Sequence, residues 1–198
     1  MNSAYFDTEK VSEERVSFLF VGRLLRSKGI MEYIQAANLF SSNTAVQFKV
    51  IGAYSPEHPD SINSEEFNAL KTSSKIEYVG TTEDIKPYIE QCSTMVLPSY
   101  REGLPKSILE AMSMRRPIIC SRVAGCNTFF DFGKKIGFQV PPADAESLYK
   151  AMNAMSELEK GERTQMGEKA RELVLDHFDF RIINDLYLGL LNSLSFTL

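Results

Sequence analysis

The chain has 198 residues, with 22 Lys and Arg against 26 Asp and Glu and a formal net charge of −4. At 43% hydrophobic and 24% charged residues it can build a core, and it is too polar for a membrane protein. No run approaches the roughly 18 uninterrupted apolar residues of a membrane span, and the mild acidity argues against a nucleic-acid binder.

The first residues, Met1 to Glu14, are polar and acidic and read as lacking a secretory signal. A Phe- and Val-rich run, Val16–Val21, predicts the first strand, and Gly29–Phe40 carries a helical period. Strand-like runs follow at Val46–Ile51, Lys75–Val79, Thr94–Leu97 and Pro117–Cys120, with a weaker one at Gly137–Val140. Helix-like stretches fall between them at Ser64–Thr72, Pro87–Cys92 and Pro105–Met114. Pro87 and Pro105 each suit a first helical position, where the missing N–H costs nothing. Beyond Asp144 the pattern is helical throughout: Asp144–Leu158, Glu162–His177 and Arg181–Leu194, with Gly161 separating the first two.

Near-continuous apolar strands alternating with helices indicate a parallel sheet covered on both faces. The predicted fold is therefore α/β: a doubly wound, Rossmann-like sheet over about 16–143 with an all-helical tail over 144–198, in a single domain. Ligands bind outside the carboxyl ends of such strands. The candidate loops are Gly22–Lys28, Gly52–Asn63, Gly80–Lys86, Pro98–Leu104 and Ser121–Thr128.

Cys92, Cys120 and Cys126 lack C-x-x-C spacing and read as buried thiols of a reducing, cytoplasmic compartment. Two histidines, His58 and His177, exclude a His-rich metal site. Arg115-Arg116 and Lys134-Lys135 read as solvated pairs. Met112, Met114, Met152, Met155 and Met166 read as core, and Phe129-Phe130-Asp131-Phe132 as a packed helix edge, with one Phe a candidate for the ligand pocket.

Neither G-x-G-x-x-G nor G-x-x-x-x-G-K-[ST] is present. The first strand ends instead in Gly22-Arg23-Leu24-Leu25-Arg26-Ser27-Lys28-Gly29. There Gly22 allows a sharp turn, and Arg23 and Lys28 supply a fork and a point charge suited to a diphosphate. A solvated basic loop has the same composition. After the fourth strand, Glu102 precedes Gly103, which permits close backbone approach. Pro105 then opens a helix whose free amides around Leu104, Lys106 and Ser107 favour phosphate. Glu110, further along that helix, can lean toward the same crevice. Carboxylates beside a diphosphate are useful as acceptors from sugar and ribose hydroxyls; helix charge or capping is the plainer role for Glu110.

The stretch EGLPKSILEAM, Glu102–Met112, followed by Arg116-Pro117-Ile118-Ile119, resembles the E-x7-E signature of the family 4 (group 1) glycosyltransferases. VGRLLRSKG, Val21–Gly29, is similar to the same family's phosphate element, and VIG, YVG, VLPS and GFQVPPAD fall in the family's order. The resemblance spans about residues 16–180. It implies the donor-binding carboxyl-terminal domain of a GT-B enzyme that retains anomeric configuration without a metal. Arg23 and Lys28 would bind the donor diphosphate. Glu110 would hold ribose hydroxyls, Glu102 sugar hydroxyls, and the amides from Leu104 to Ser107 the distal phosphate. The base would rest near Gly52 and Gly80. The substrate implied is a nucleotide-diphosphate sugar, foremost a UDP-sugar, with no separate cofactor. The acceptor, sugar or lipid-linked, would be bound by an amino-terminal domain absent from this sequence, in polysaccharide or glycoconjugate assembly at the cytoplasmic side of a membrane.

Three features depart from the family pattern. Ala124-Gly125-Cys126 stands where a Gly-Gly pair and an acid are usual. Gly52-Ala53-Tyr54-Ser55-Pro56 replaces G-x-G-P and leads into a long turn, Glu57–Asn63. The amino-terminal half has no counterpart. The last helix is apolar on more than one face, at Leu186, Tyr187, Leu190 and Leu191, which reads as a docking surface. From the residues alone, a non-catalytic nucleotide-binding or interaction module of Rossmann type stands beside the transferase.

Overall fold

The computed structural model describes residues 1–6, 15–41 and 45–195; within the last helix, only the backbone is described at 183, 186 and 192–195. Residues 7–14 of the acidic opening stretch and the side chain of Leu186 lie outside the described residues. Six parallel strands form one sheet: β1 Ser17–Val21, β2 Gln47–Ile51, β3 Ile76–Gly80, β4 Thr94–Leu97, β5 Ile118–Ser121 and β6 Gly137–Val140. Their order is β3-β2-β1-β4-β5-β6. Every residue of the central strands β4 and β5 is buried, whereas the edge strands β3 and β6 each bury one residue fully. That gradient explains why the central strands read as continuous apolar runs and why β6 gave a weak signal.

Helices α1 Ile30–Leu39, α2 Ser64–Lys71, α3 Lys86–Gln91, α4 Lys106–Ser113 and α5 Ala124–Phe130 join successive strands, and α6 Ala145–Glu157, α7 Lys160–His177 and α8 Phe180–Ser195 follow β6. Right-handed crossovers place α1 and α2 on one face and α4 and α5 on the other. Accordingly α6 packs on α1, and α7 on α4. Two starts use side-chain caps. Asn63 and Glu66 form a reciprocal capping box at α2, and the Asp144 carboxylate accepts the Ser147 amide at 2.9 Å at α6. Such caps are each worth about 1 kcal/mol.

The core runs along the whole sheet, from Phe18, Phe20 and Val50 to Ile119 and Leu173, and all five methionines named above lie in it. All three cysteines are buried.

The structure corrects four local readings. Ala124–Phe130, largely read as loop, is helical, because Gly125, Cys126 and Phe129 are drawn into the core despite weak intrinsic propensity. Gly161 lies inside α7 rather than before it; Glu159 caps that helix through a reciprocal box with Glu162. Pro105 is the residue before α4, extended at φ −70° and ψ 115°, not its first helical residue. Arg116 is fully buried rather than solvated, donating to the Ile89 and Glu90 carbonyls at 2.8 and 3.0 Å. It thereby satisfies carbonyls at the carboxyl end of α3. Of the other pairs, Arg115 bonds Glu168 at 3.1 Å and Lys134 reaches Glu172 at 3.3 Å.

Candidate functional site

The strand order reverses between β1 and β4: β2 and β3 lie on one side, β5 and β6 on the other. Loops leaving β1 and β4 must part in opposite directions at such a switch point and leave a crevice at the carboxyl edge. A cleft of about 300 Å³ occupies that position, lined by Val21, Gly22, Lys28, Leu97, Glu102, Pro105, Lys106, Ser107 and Glu110. A larger depression of about 540 Å³ lies by Gln47, Lys75 and Glu77 at the amino edge of β2 and β3. That edge has no switch point, so the smaller cleft is the candidate site.

The β1 and β4 loops are joined by backbone contacts. The Tyr100 amide donates to the Ser27 carbonyl at 2.8 Å. Gly29, at φ +74°, lies so close to Pro98 that a Cβ would stand 2.1 Å from the Pro98 carbonyl oxygen. The Tyr100 hydroxyl donates to Oε1 of buried Glu32 at 2.6 Å, and burial, with that carboxylate, pushes Tyr100 up to about 12. This junction brings Lys28 Nζ to 2.7 Å from Glu102 Oε1, with the Glu102 side chain only 9% exposed. At that burial a lone carboxylate would be unfavourable, and Lys28 supplies its counter-charge.

Glu102 and Gly103 rest on α5. The Gly125 amide donates to the Glu102 carbonyl at 3.2 Å, and a Cβ on Gly125 would lie 2.0 Å from the Gly103 oxygen. By contrast, a Cβ on Gly103 would meet nothing within 4 Å. The backbone there faces open space.

Helix α4 starts with no side-chain cap, and its first internal bond runs from the Leu109 amide to the Pro105 carbonyl at 3.2 Å. The amides of Lys106 and Ser107 precede that bond, at the positive end of the helix. Glu110 is 6% exposed and lines the cleft floor, with Lys106 Nζ at 3.4 Å from its Oε1. Desolvation raises its carboxyl above the ordinary range, partly offset by Lys106.

The glycines at the strand ends take different roles. A Cβ on Gly52 would stand 1.7 Å from the Gly22 carbonyl oxygen, so the close approach of two loops demands glycine at Gly52. Gly22 would have room for a side chain, its nearest neighbours being Phe20 ring atoms at 3.6 Å. Gly80, at φ +90°, accepts the Gly52 amide at 2.8 Å. Gly52 and Gly80 therefore sit beside the cleft rather than in its wall. Arg23 is exposed next to Gly22, and Leu104 and Gly103 form the exposed lip before Pro105. Phe129 is buried, packed on Phe178, and none of the 129–132 aromatics lines the cleft. Among the described residues no group of three or more His, Cys, Asp or Glu side chains converges as for a metal ion. None of the described helices is long and apolar enough to cross a membrane.

Two carboxylates, each paired with a lysine, and the end of a helix, at the switch point of a doubly wound sheet, suit a ligand that combines phosphate with hydroxyls. Residues 15–157 match the family model described as glycosyl transferases group 1. The chain belongs to this glycosyltransferase family. This glycosyltransferase chain is 31% identical over 180 residues to the alpha-D-kanosaminyltransferase of Streptomyces kanamyceticus, covering 90% of this chain and 46% of that one. It is 29% identical over 176 residues to the N,N'-diacetylbacillosaminyl-diphospho-undecaprenol alpha-1,3-N-acetylgalactosaminyltransferase of Campylobacter jejuni, covering 87% and 43% respectively. The chain therefore spans less than half the length of these curated relatives. In fold it superposes on Anabaena HepE, solved with UDP-glucose, at a TM-score of 0.82 and 18% identity, covering 98% of this chain and 56% of that one. The Rossmann-like, GT-B type of domain expected from the sequence is thus the one observed.

Glu32 left no local signal, since it meets the Tyr100 hydroxyl from a helix distant in sequence. Gly125 reads from the sequence only as part of the loop after β5; its close approach to the Gly103 oxygen arises from the tertiary fold.

Proposed function

We propose that this chain is the donor-binding half of a retaining, metal-independent glycosyltransferase that uses a nucleotide-diphosphate sugar, foremost a UDP-sugar. The observation that carries the reading is the Lys28–Glu102 pair, set with Glu110 and the start of α4 in one cleft. Lys28, with Arg23 beside it, would meet the diphosphate, and the amides of Lys106 and Ser107 its distal phosphate. Glu102 would accept from hydroxyls of the sugar, and Glu110 from those of the ribose.

In the reaction so proposed, the bond from the anomeric carbon to the diphosphate oxygen breaks. A bond from the acceptor oxygen forms on the same face, and the acceptor proton passes to the departing diphosphate. Charge accumulates on that leaving group, so Lys28, Arg23 and the helix end would supply the main stabilisation. The HepE structure with UDP-glucose supports the donor class. The diphospho-undecaprenol named in the Campylobacter relative supports a lipid-linked acceptor, met through an amino-terminal half in an enzyme peripheral to the cytoplasmic face of a membrane.

Transfer needs an acceptor face closed over the donor to exclude water. The 198-residue chain is therefore expected to bind donor weakly and transfer little. Arg23→Ala, Lys28→Ala and Glu110→Ala should each weaken nucleotide-sugar binding about tenfold while circular dichroism stays unchanged. Equal binding by the parent chain and all three variants would favour a non-catalytic module instead.

A further inference from the structure

The turn that carries Lys28 is a single 3-10 turn, with the Lys28 amide donating to the Leu25 carbonyl at 3.0 Å and the Gly29 amide to the Arg26 carbonyl at 2.8 Å. It is strapped by the long excursion between β2 and α2, the segment in which the sequence leaves the family pattern. The Leu24 amide donates to the Ala53 carbonyl at 3.0 Å, and the Ile62 amide to the Leu24 carbonyl at 3.2 Å. Leu25 and Ser61 form an antiparallel bridge. The Arg26 amide donates to the Asp60 carbonyl at 2.8 Å. Above all, Asp60 Oδ2 accepts the Ser27 amide at 3.0 Å and also the Ser27 hydroxyl. The Ser27 carbonyl is held from the other side by the Tyr100 amide.

Arg26 belongs to the same strap. Its guanidinium contacts both Glu66 oxygens at 2.6 Å on α2. Of the basic residues in this loop, Arg26 is thus committed to holding the excursion, while Lys28 is turned to Glu102.

We propose that Asp60 is a positioning residue: by fixing Ser27 it aims the neighbouring Lys28 ammonium into the cleft. The inference rests on reading the cleft as a diphosphate site, and it assigns a role to the segment 53–62. The Ser27 hydroxyl bond, opposed by burial, holds the Asp60 carboxyl below its ordinary range, so it is ionised at neutral pH. This makes the sign of its effect informative. As a bare anion near a diphosphate Asp60 would weaken binding, and its removal would tighten it. As a positioning group its removal must loosen binding.

The test is titration of the 198-residue chain with UDP and with uridine, which lacks the phosphates. Asp60→Ala is expected to lower UDP affinity about five- to tenfold and leave uridine binding unchanged. Asp60→Asn, which keeps an acceptor oxygen for Ser27 but drops the charge, should stay within about twofold of the parent chain. In a Lys28→Ala background Asp60→Ala should have little further effect, since the two act through one group. Unchanged or tighter UDP binding by Asp60→Ala, or an equal loss for uridine, would overturn the assignment. Amide hydrogen exchange separates this from the donor reading. Failure of the parent chain to bind UDP sinks the donor reading. An Asp60→Ala chain whose Ser27 and Lys28 amides exchange no faster than the parent's sinks the role of Asp60.

Discussion

Glu110 is buried on α4 and its carboxyl is raised above the ordinary carboxylate range by desolvation, with Lys106 compensating in part. A group whose folded pKa is raised favours folding while protonated, and that contribution is lost as pH rises through the folded value. At pH 7 the ionised carboxylate therefore weighs against stability. Glu110→Gln should raise the melting temperature at pH 7, and the difference from the parent chain should close as pH falls below the ordinary value of 4.5. The same substitution should weaken donor binding about tenfold, since an amide is a poorer acceptor for hydroxyls. A Gln variant both less stable and equally tight would show Glu110 to be a structural charge. Glu102, Glu110 and Lys28 were legible because one loop or one helix carries each, at spacing the eye can follow. Asp60 and Glu32 were not: Asp60 meets Ser27 and Glu32 meets Tyr100 only through the tertiary fold.

At the scale of elements, α5 shows the same division. Gly125, Cys126, Asn127 and Thr128 are weak helix formers with no side-chain cap, so no local pattern announced it. Packing creates it: a Cβ on Gly125 would lie 2.0 Å from the Gly103 oxygen and 2.5 Å from that of Glu102. Gly125→Ala should cost about 1–3 kcal/mol in chemical denaturation and displace Glu102, weakening donor binding as well. Gly103→Ala should fold with unchanged stability, because its Cβ meets nothing within 4 Å; any loss it shows should be in donor binding alone. On α8, Tyr187, Leu188, Leu190 and Leu191 are each more than half exposed. Tyr187→Ser with Leu188→Ser should lower binding of an apolar fluorescent dye without changing nucleotide binding. Equal dye binding would place the apolar surface elsewhere. The strands and seven of the eight helices among the described residues were readable from period and punctuation; α5 was not, and the starts of α4 and α7 lie one and two residues from the predicted ones, Lys106 rather than Pro105 and Lys160 rather than Glu162.

For the whole molecule, sheet order matters more than any motif. The reversal between β1 and β4 converts two loops distant in sequence into the walls of one cleft. The chain belongs to the group 1 glycosyl transferases, and the curated relatives it matches are more than twice the aligned length. The central claim is that this chain by itself holds the donor site. Calorimetric titration with UDP-, GDP- and ADP-sugars, run on the parent chain and on Lys28→Ala, tests it most directly. Saturable binding of one of these sugars, foremost a UDP-sugar, weakened about tenfold by Lys28→Ala, is the expected result. No binding of any of them, or binding indifferent to Lys28, would contradict it.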